Sequence, residues 1–315
     1  MAIPSAGSAL SLSAIQTEFG GSNPISMSEY YAGGSNVPSG TTGDAGNIPS
    51  SGAIAVSQFY GSSNRVAIAL TISSTTQSYN IYSNRGGTYS AGNSDVTLTV
   101  QAIVGSTGAS GLDTGSQWTS GDTIKIINNS QIVGKGNAGG AGGARSGGGS
   151  AGTAGQPAIN LGYPVTIQNN GGNIRGGGGG GGGGAGGSYT IPGQGGKGQV
   201  PTTVQYGGGG GGGGAGQQGG AGGAAGQTNS QTGATAAAGQ AGSISGAGAG
   251  GDGSAQGQGN DGGGSGGGFG AAGQAGQNSN QASGGGGGAA GKAINLNSNQ
   301  VTWEDGQSNV QGAVS

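Results

Sequence analysis

Nine consecutive glycines at residues 176–184 and eight at 207–214, set in a glycine- and alanine-rich stretch from 134 to 291, constrain this chain more than anything else in it. A segment whose side chains are hydrogen has nothing with which to do acid, base, nucleophilic or metal chemistry. The expectation is therefore a protein that is not an enzyme. Glycine also loses more conformational freedom on ordering than any other residue, so this stretch is either a flexible linker or is held by compensating backbone interactions.

Three features favour order. The runs are interrupted by strand-like segments that need partners, alanine rather than serine is their usual substitute, and the region's net charge is small, four basic against two acidic residues, so little keeps it expanded. Polyglycine can form an extended threefold helix of the polyproline II type, with every amide and carbonyl pointing outward. Without Cβ atoms such helices approach closely enough to hydrogen-bond backbone to backbone. Collagen is excluded as a template, because a strict Gly-X-Y register is missing and proline is scarce here.

The remaining composition narrows the function classes. Of 315 residues only 30% are apolar and 6% charged, and the net charge is −2. The eight basic residues are scattered singly, which leaves no patch for a nucleic-acid backbone. Cysteine and histidine are absent, which removes disulfides, the common metal sites and the commonest general base; no cofactor or metal is expected. No apolar run reaches 18 residues and the N-terminus lacks a charged, apolar leader pattern, so neither membrane insertion nor export is expected. The segment Gly286-Gly287-Gly288-Ala289-Ala290-Gly291-Lys292-Ala293 approaches a phosphate-binding loop, but Ala293 stands where a Ser or Thr is needed and a strand pattern follows it. Glu304-Asp305 are adjacent and point to opposite faces of a strand, which gives no pair across a cleft.

Repeats organise the chain. In residues 1–62, Pro24-Ile25-Ser26-Met27-Ser28-Glu29-Tyr30-Tyr31 aligns with Ala53-Ile54-Ala55-Val56-Ser57-Gln58-Phe59-Tyr60, and Ala9-Leu10-Ser11-Leu12-Ser13 is a shorter copy. Each copy predicts a short strand entering a helical turn that ends on aromatics. An extended arm docked on a larger assembly is the preferred form over a small self-contained subdomain, with Phe19, Ile25, Met27, Tyr30, Tyr31, Ile54, Val56, Phe59 and Tyr60 as docking residues. Residues 63–133 hold apolar runs of strand length at 66–72, 96–100 and 123–127, and predict a small β-sandwich.

A second repeat links that domain to the glycine region. The pattern from Thr123 to Gly134 returns from Pro164 to Gly176 and again from Val301 to Gly312. The last two are preceded by Ala158-Ile159-Asn160-Leu161 and Ala293-Ile294-Asn295-Leu296. The chain thus revisits one layer three times, residues 134–291 forming a bundle of polyglycine II helices with connecting loops and 292–315 a strand returning to the β layer. The loops at the far end of such a bundle are the expected contact surface: Tyr189, Ile191, Lys197, Val204 and Tyr206 in the break from Ser188 to Tyr206, with Arg145 and Phe269. Trp118 and Trp303 adjoin the strand repeats and are expected in the core.

The glycine-rich motifs alternating with short variable segments after a small β domain resemble the distal tail-fibre adhesins of T-even-like bacteriophages. The pieces Leu12-Ser13-Ala14-Ile15-Gln16-Thr17-Glu18-Phe19-Gly20-Gly21 and 24–31 are similar to segments of tail and fibre proteins. The resemblance implies a polyglycine II sandwich presenting receptor-binding loops. It makes the protein a virion component of a tail fibre or tail tip, made in the host cytoplasm, with a host surface protein or polysaccharide and other tail or baseplate proteins as partners. Beyond Tyr206 the breaks are small and polar, as in Asn278-Ser279-Asn280-Gln281, whereas the family's tip loops are often aromatic. A purely structural virion protein with a glycine spacer is the alternative. An ice-binding protein comes third, since it wants regular Thr or Ala ladders.

Overall fold

A computed structural model describes residues 3–192, 200–227, 236–253 and 261–315. The chain divides into two compact units: the first holds residues 1–69, 85–97 and 118–124, the second 70–84, 98–117 and 125–315.

In the first unit the N-terminal repeat builds a core of its own. Helix α1 (Leu12–Phe19) is capped by Ser11, whose hydroxyl accepts from the Ala14 amide, and it stops at Gly20, which takes a φ of 78°. The two longer repeat copies become 3-10 turns at Met27–Tyr30 and Val56–Phe59. Their equivalent aromatics, Tyr30 and Phe59, are fully buried and meet edge to face with ring centroids 6.2 Å apart, while Phe19 meets Phe59 at 5.8 Å. Ile3, Ile15, Val37 and Ile48 complete the cluster, and a short hairpin, β1 (Thr42–Gly43) with β2 (Gly46–Asn47), lies beyond it. The extended arm is thus replaced by a folded core, because the repeated aromatics pack on one another. Also in this unit, Trp118 is buried against Tyr89 at 5.6 Å, and Tyr89 donates to Asp122 at 2.6 Å.

From Val66 the chain winds into three sheets, taking one strand to each in turn. The first coil is β3 (Val66–Ile72), β4 (Thr76–Gln77) and β5 (Tyr79–Asn80), followed by a helical turn α2 (Ile81–Asn84). The second is β6 (Ser94–Val100), β7 (Val104–Gly105) and β8 (Leu112–Asp113). The third is β9 (Thr123–Asn128), β10 (Gln131–Val133) and β11 (Ile159–Asn160); β12 (Val165–Gln168) and β13 (Asn173–Arg175) begin the fourth. After a hairpin, β14 (Gly187–Ile191) and β15 (Thr202–Tyr206), the fourth coil closes with β16 (Ile294–Asn295). Strands β17 (Val301–Asp305) and β18 (Val310–Gln311) form the last coil.

The sheets order as β17-β12-β9-β6-β3, β18-β13-β10-β7-β4 and β16-β11-β8-β5. Strand β12 pairs in parallel with β9 and β17, β13 with β10 and β18, and β11 with β8 and β16. This is a three-faced parallel coil stack, not the expected sandwich. Alternating apolar residues bury one strand face in either arrangement, so the alternation could not separate them. The three returning repeats do lie side by side, Val165 opposite Val301 and Ile167 opposite Ile126.

Both glycine excursions leave the same corner of successive coils, between β10 and β11 and between β13 and β16. They form ten extended segments among the described residues, held by backbone hydrogen bonds whose partners rotate with a period of three. Within residues 176–186, the amides of Gly177, Gly180 and Gly183 donate to Gln156, Thr153 and Ser150; those of Gly178, Gly181 and Gly184 donate to Ala215, Gly212 and Gly209; those of Gly179 and Gly182 donate to Ala271 and Gln274. Their carbonyls accept from a different set, 264–270, 285–291 and 137–143. The bonding resolves into three layers: 147–157, 134–144 and 219–227; then 284–292, 176–186, 207–216 and 236–243; then 270–277, 261–268 and 246–253.

This layering explains where glycine is uninterrupted. Segments 176–186 and 207–216 are enclosed on every side, and a Cβ on Gly178 or Gly211 would sit 1.9 Å or 2.0 Å from a backbone oxygen of a neighbouring segment. Segment 134–144 lies in an outer layer, with glycine at the inward positions 139, 140, 142 and 143 and exposed alanine at 138, 141 and 144. Enclosed amides and carbonyls find partners, which removes the penalty of roughly 1–3 kcal/mol for each polar group left buried and unbonded.

Candidate functional site

The bundle segments turn at 145–146, at the β14–β15 hairpin and at 278–283 on one end, where Arg145 bonds to Gln227 and Gly186 to Gly147. The opposite turns, at 216–219, 243–246 and 268–270, face the coil stack: the Gly270 amide donates to Gly176, which follows β13 directly. The candidate site is the first of these ends.

The hairpin pairs antiparallel from Gly187 opposite Tyr206 to Ile191 opposite Thr202. Its root is closed: Ser188, Val204 and Tyr206 are buried, and the Tyr189 and Tyr206 rings lie 6.4 Å apart at 37°. Beneath it Asp261 is only 4% exposed, with Oδ1 unpartnered. Burial raises the Asp261 carboxyl above its ordinary range, and burial, then the nearby Asp261 charge, raises the Tyr206 phenol. Outward from the root the side chains open to solvent, Ile191 at 46% and Val200 at 79% exposure. The hairpin is therefore a fixed root carrying an exposed apolar and threonine-rich end.

Of the sequence-expected contact residues, Tyr189, Ile191, Val204, Tyr206 and exposed Arg145 come together at this end; Arg145 holds a φ of 50° in its turn. Lys197 lies outside the described residues. Phe269 does not join them: it sits in the turn facing the coil stack, with the Arg175 guanidinium 5.2 Å over its ring. Val204 and Tyr206 are turned inward and support the hairpin. The residues that sequence reasoning passed over are Ser279, Asn280 and Gln281. Asn280 Nδ2 donates to the Ser188 carbonyl at 2.9 Å and Gln281 Nε2 to Ser188 Oγ at 2.5 Å.

For the expected docking residues, Phe19, Tyr30 and Phe59 are closed within the N-terminal core, whereas Ile25, Met27, Ile54 and Val56 pack partly exposed on its outside. Tyr31 and Tyr60 are half-buried, their hydroxyls donating to the Gly52 and Ser8 carbonyls. The same unit holds a polar cleft of about 300 Å³ lined by Thr41, Thr42, Ser63 and the Arg65–Asp95 ion pair. The Arg65 guanidinium holds the Asp95 carboxyl below its ordinary range. Among the described residues no cluster of acidic side chains could hold a metal, and no helix is long and apolar enough to cross a membrane. Trp303, expected in the core, is half-buried on the last coil.

Among known proteins, residues 67–205, which run from β3 through β13 and the first long glycine run into the hairpin, are similar to a phage tail fibre adhesin. The family whose model they match is Gp38, the phage tail fibre adhesin Gp38, and the resemblance read from the glycine-rich sequence holds over that stretch. Among solved structures, the crystal structure of the gp37-gp38 adhesin tip complex of the bacteriophage S16 long tail fibre aligns at 23% identity. It covers 96% of this chain and 97% of that one with a TM-score of 0.47. No curated protein matches significantly.

Proposed function

We propose that this protein is the receptor-binding adhesin of a phage tail fibre, acting by non-covalent contact between the hairpin end of its glycine bundle and a host surface protein or polysaccharide. The observation that carries this reading is the convergence of the hairpin, the Arg145 turn and the 278–283 turn on one end of the bundle, with Ile191 and Val200 exposed there. Exposed apolar groups on a fixed backbone supply contact area at low entropic cost.

The ten segments are read as polyglycine II helices, the period-three exchange of hydrogen-bond partners being what a threefold extended helix gives. Attachment to other tail or baseplate proteins is assigned to residues 1–62, through Ile25, Met27, Ile54 and Val56, since their buried neighbours are already occupied. The protein is placed in the virion tail after synthesis in the host cytoplasm. Replacing residues 188–206 by a short Gly-Ser turn is expected to abolish adsorption while particles assemble normally. Unchanged adsorption would overturn the assignment.

A further inference from the structure

We propose that the turn at 278–283 is a positioning element for the hairpin, so that the recognition unit consists of two segments some ninety residues apart in sequence. The inference rests on the hairpin being the receptor contact.

A two-stranded hairpin is at best marginally stable alone in water. This one is joined to the bundle at its root, and the 278–283 turn grips that root from outside. Ser279 Oγ donates to the Gly186 carbonyl at 2.7 Å, Asn280 Nδ2 to the Ser188 carbonyl at 2.9 Å, and Gln281 Nε2 to Ser188 Oγ at 2.5 Å. Every one of these bonds reaches the two residues that flank the first hairpin pair, Gly187 with Tyr206.

The turn also carries hydrogen bonds of its own. The Ser279 amide donates to the Ala282 carbonyl at 2.9 Å, the Ala282 amide to Ser279 Oγ at 3.0 Å, and the Gly284 amide to Asn278 Oδ1 at 2.9 Å. A polar turn holding a buried serine fixes the direction in which Tyr189 and Ile191 are presented. Such pre-organisation lowers the ordering cost of binding. It also accounts for the absence of aromatics in this break: its side chains bond to the hairpin rather than to a receptor.

The test is the Asn280→Ala/Gln281→Ala double variant of the full chain on assembled particles. Its adsorption rate should fall about tenfold, the factor that corresponds to losing the ordering supplied by two hydrogen bonds. Amide exchange should accelerate at residues 188–191 and 202–206 and stay slow at 177–184. Ser188→Ala removes the Gln281 acceptor from the other side, so its effect on hairpin exchange should be non-additive with that of Gln281→Ala. Unchanged hairpin exchange, or additive effects of the Ser188 and Gln281 variants on it, would overturn the proposal, whereas unchanged adsorption with accelerated exchange would overturn the receptor reading on which it rests. The exchange measurements bear on the grip even where loop replacement leaves adsorption intact, so failure of the functional reading and failure of the grip are told apart.

Discussion

Asn160 donates its Nδ2 to Asp113 Oδ2 at 2.9 Å across adjacent coils, in the column where Asn80, Asp113, Asn160 and Asn295 occupy equivalent strand positions. Asp113 also accepts from Asn80 at 3.3 Å and from the Gly115 amide at 2.6 Å, and Asn295 continues the column by donating to Asn160. Asp113 is the acceptor on which the neighbouring amides converge. Asp113→Ala leaves those donors unmatched in a half-buried column, and the expected loss is about 2–3 kcal/mol. Chemical denaturation of the full chain would measure it, and a loss below the range of an ordinary surface substitution would remove the column from the account of the fold.

The glycines of the bundle are not equivalent, and alanine separates them. A Cβ on Gly182 would lie 1.9 Å from the Gly285 carbonyl oxygen, in a layer where no side can move away. Gly182→Ala should abolish soluble expression or melt the bundle. Gly286 has open space at the same position, and its φ is not among the left-handed values, so Gly286→Ala should be neutral or stabilise by about 0.4–1 kcal/mol through the unfolded chain. The comparison is read by thermal melting and soluble yield, and equal behaviour of the two variants would contradict the layered packing.

Much of this arrangement was legible as repetition. The three copies beginning at Thr123, Pro164 and Val301 fall side by side because successive turns of a parallel coil place equivalent residues in equivalent slots. The third face was not legible, since Tyr79–Asn80 and Leu112–Asp113 are strands of two residues, too short to show alternation. A usable signal was the spacing of the long strands: Val66, Ser94 and Thr123 begin 28 and 29 residues apart, the length of one coil. The site was half legible. Glycine interruption marked the hairpin, but the polar residues at 279–281 read only as a turn, because their partner Ser188 lies some ninety positions away. Phe269 misled because a lone aromatic in glycine does not say which end of a segment it occupies; counting chain reversals from Arg145 does.

Asp261 makes the bundle's stability depend on pH. Its carboxyl is raised by burial, so the folded state holds the proton more tightly than the unfolded one does. A raised folded value contributes stability that is present in acid and lost as the pH climbs through that value. At neutral pH the buried charge therefore opposes folding. Asp261→Asn should raise the melting temperature at pH 7, and the gain should shrink toward acid, where the natural carboxyl is also neutral. Asp95 acts in the opposite sense: Arg65 lowers it, and its contribution is lost as the pH falls through the depressed value. In the first unit, then, Asp95→Asn should destabilise at pH 7 and do so less in acid, and melting curves of both variants across pH 3–7 (roughly the carboxylate range) give the two signs.

Phe269 and Tyr189 distinguish support from recognition. Phe269 lies in the turn facing the coil stack, under the Arg175 guanidinium at 5.2 Å. Its removal takes away a cation–aromatic contact of about 0.5–1 kcal/mol together with partly buried ring area. Phe269→Ala should lower the melting temperature by a few degrees and leave adsorption at its natural rate, because that turn lies at the opposite end of the bundle segments from the hairpin. Tyr189 is half exposed on the hairpin, and its ring leans on buried Tyr206 at 6.4 Å, so the phenol is fixed from below while one face stays open. Tyr189→Ala should cut adsorption about tenfold or more, as truncation of an aromatic anchor does in protein interfaces, with little change in melting. Measuring adsorption and melting for both variants gives a crossed pattern. If Phe269→Ala slowed adsorption while Tyr189→Ala did not, the contact surface would have to be moved to the opposite end of the bundle.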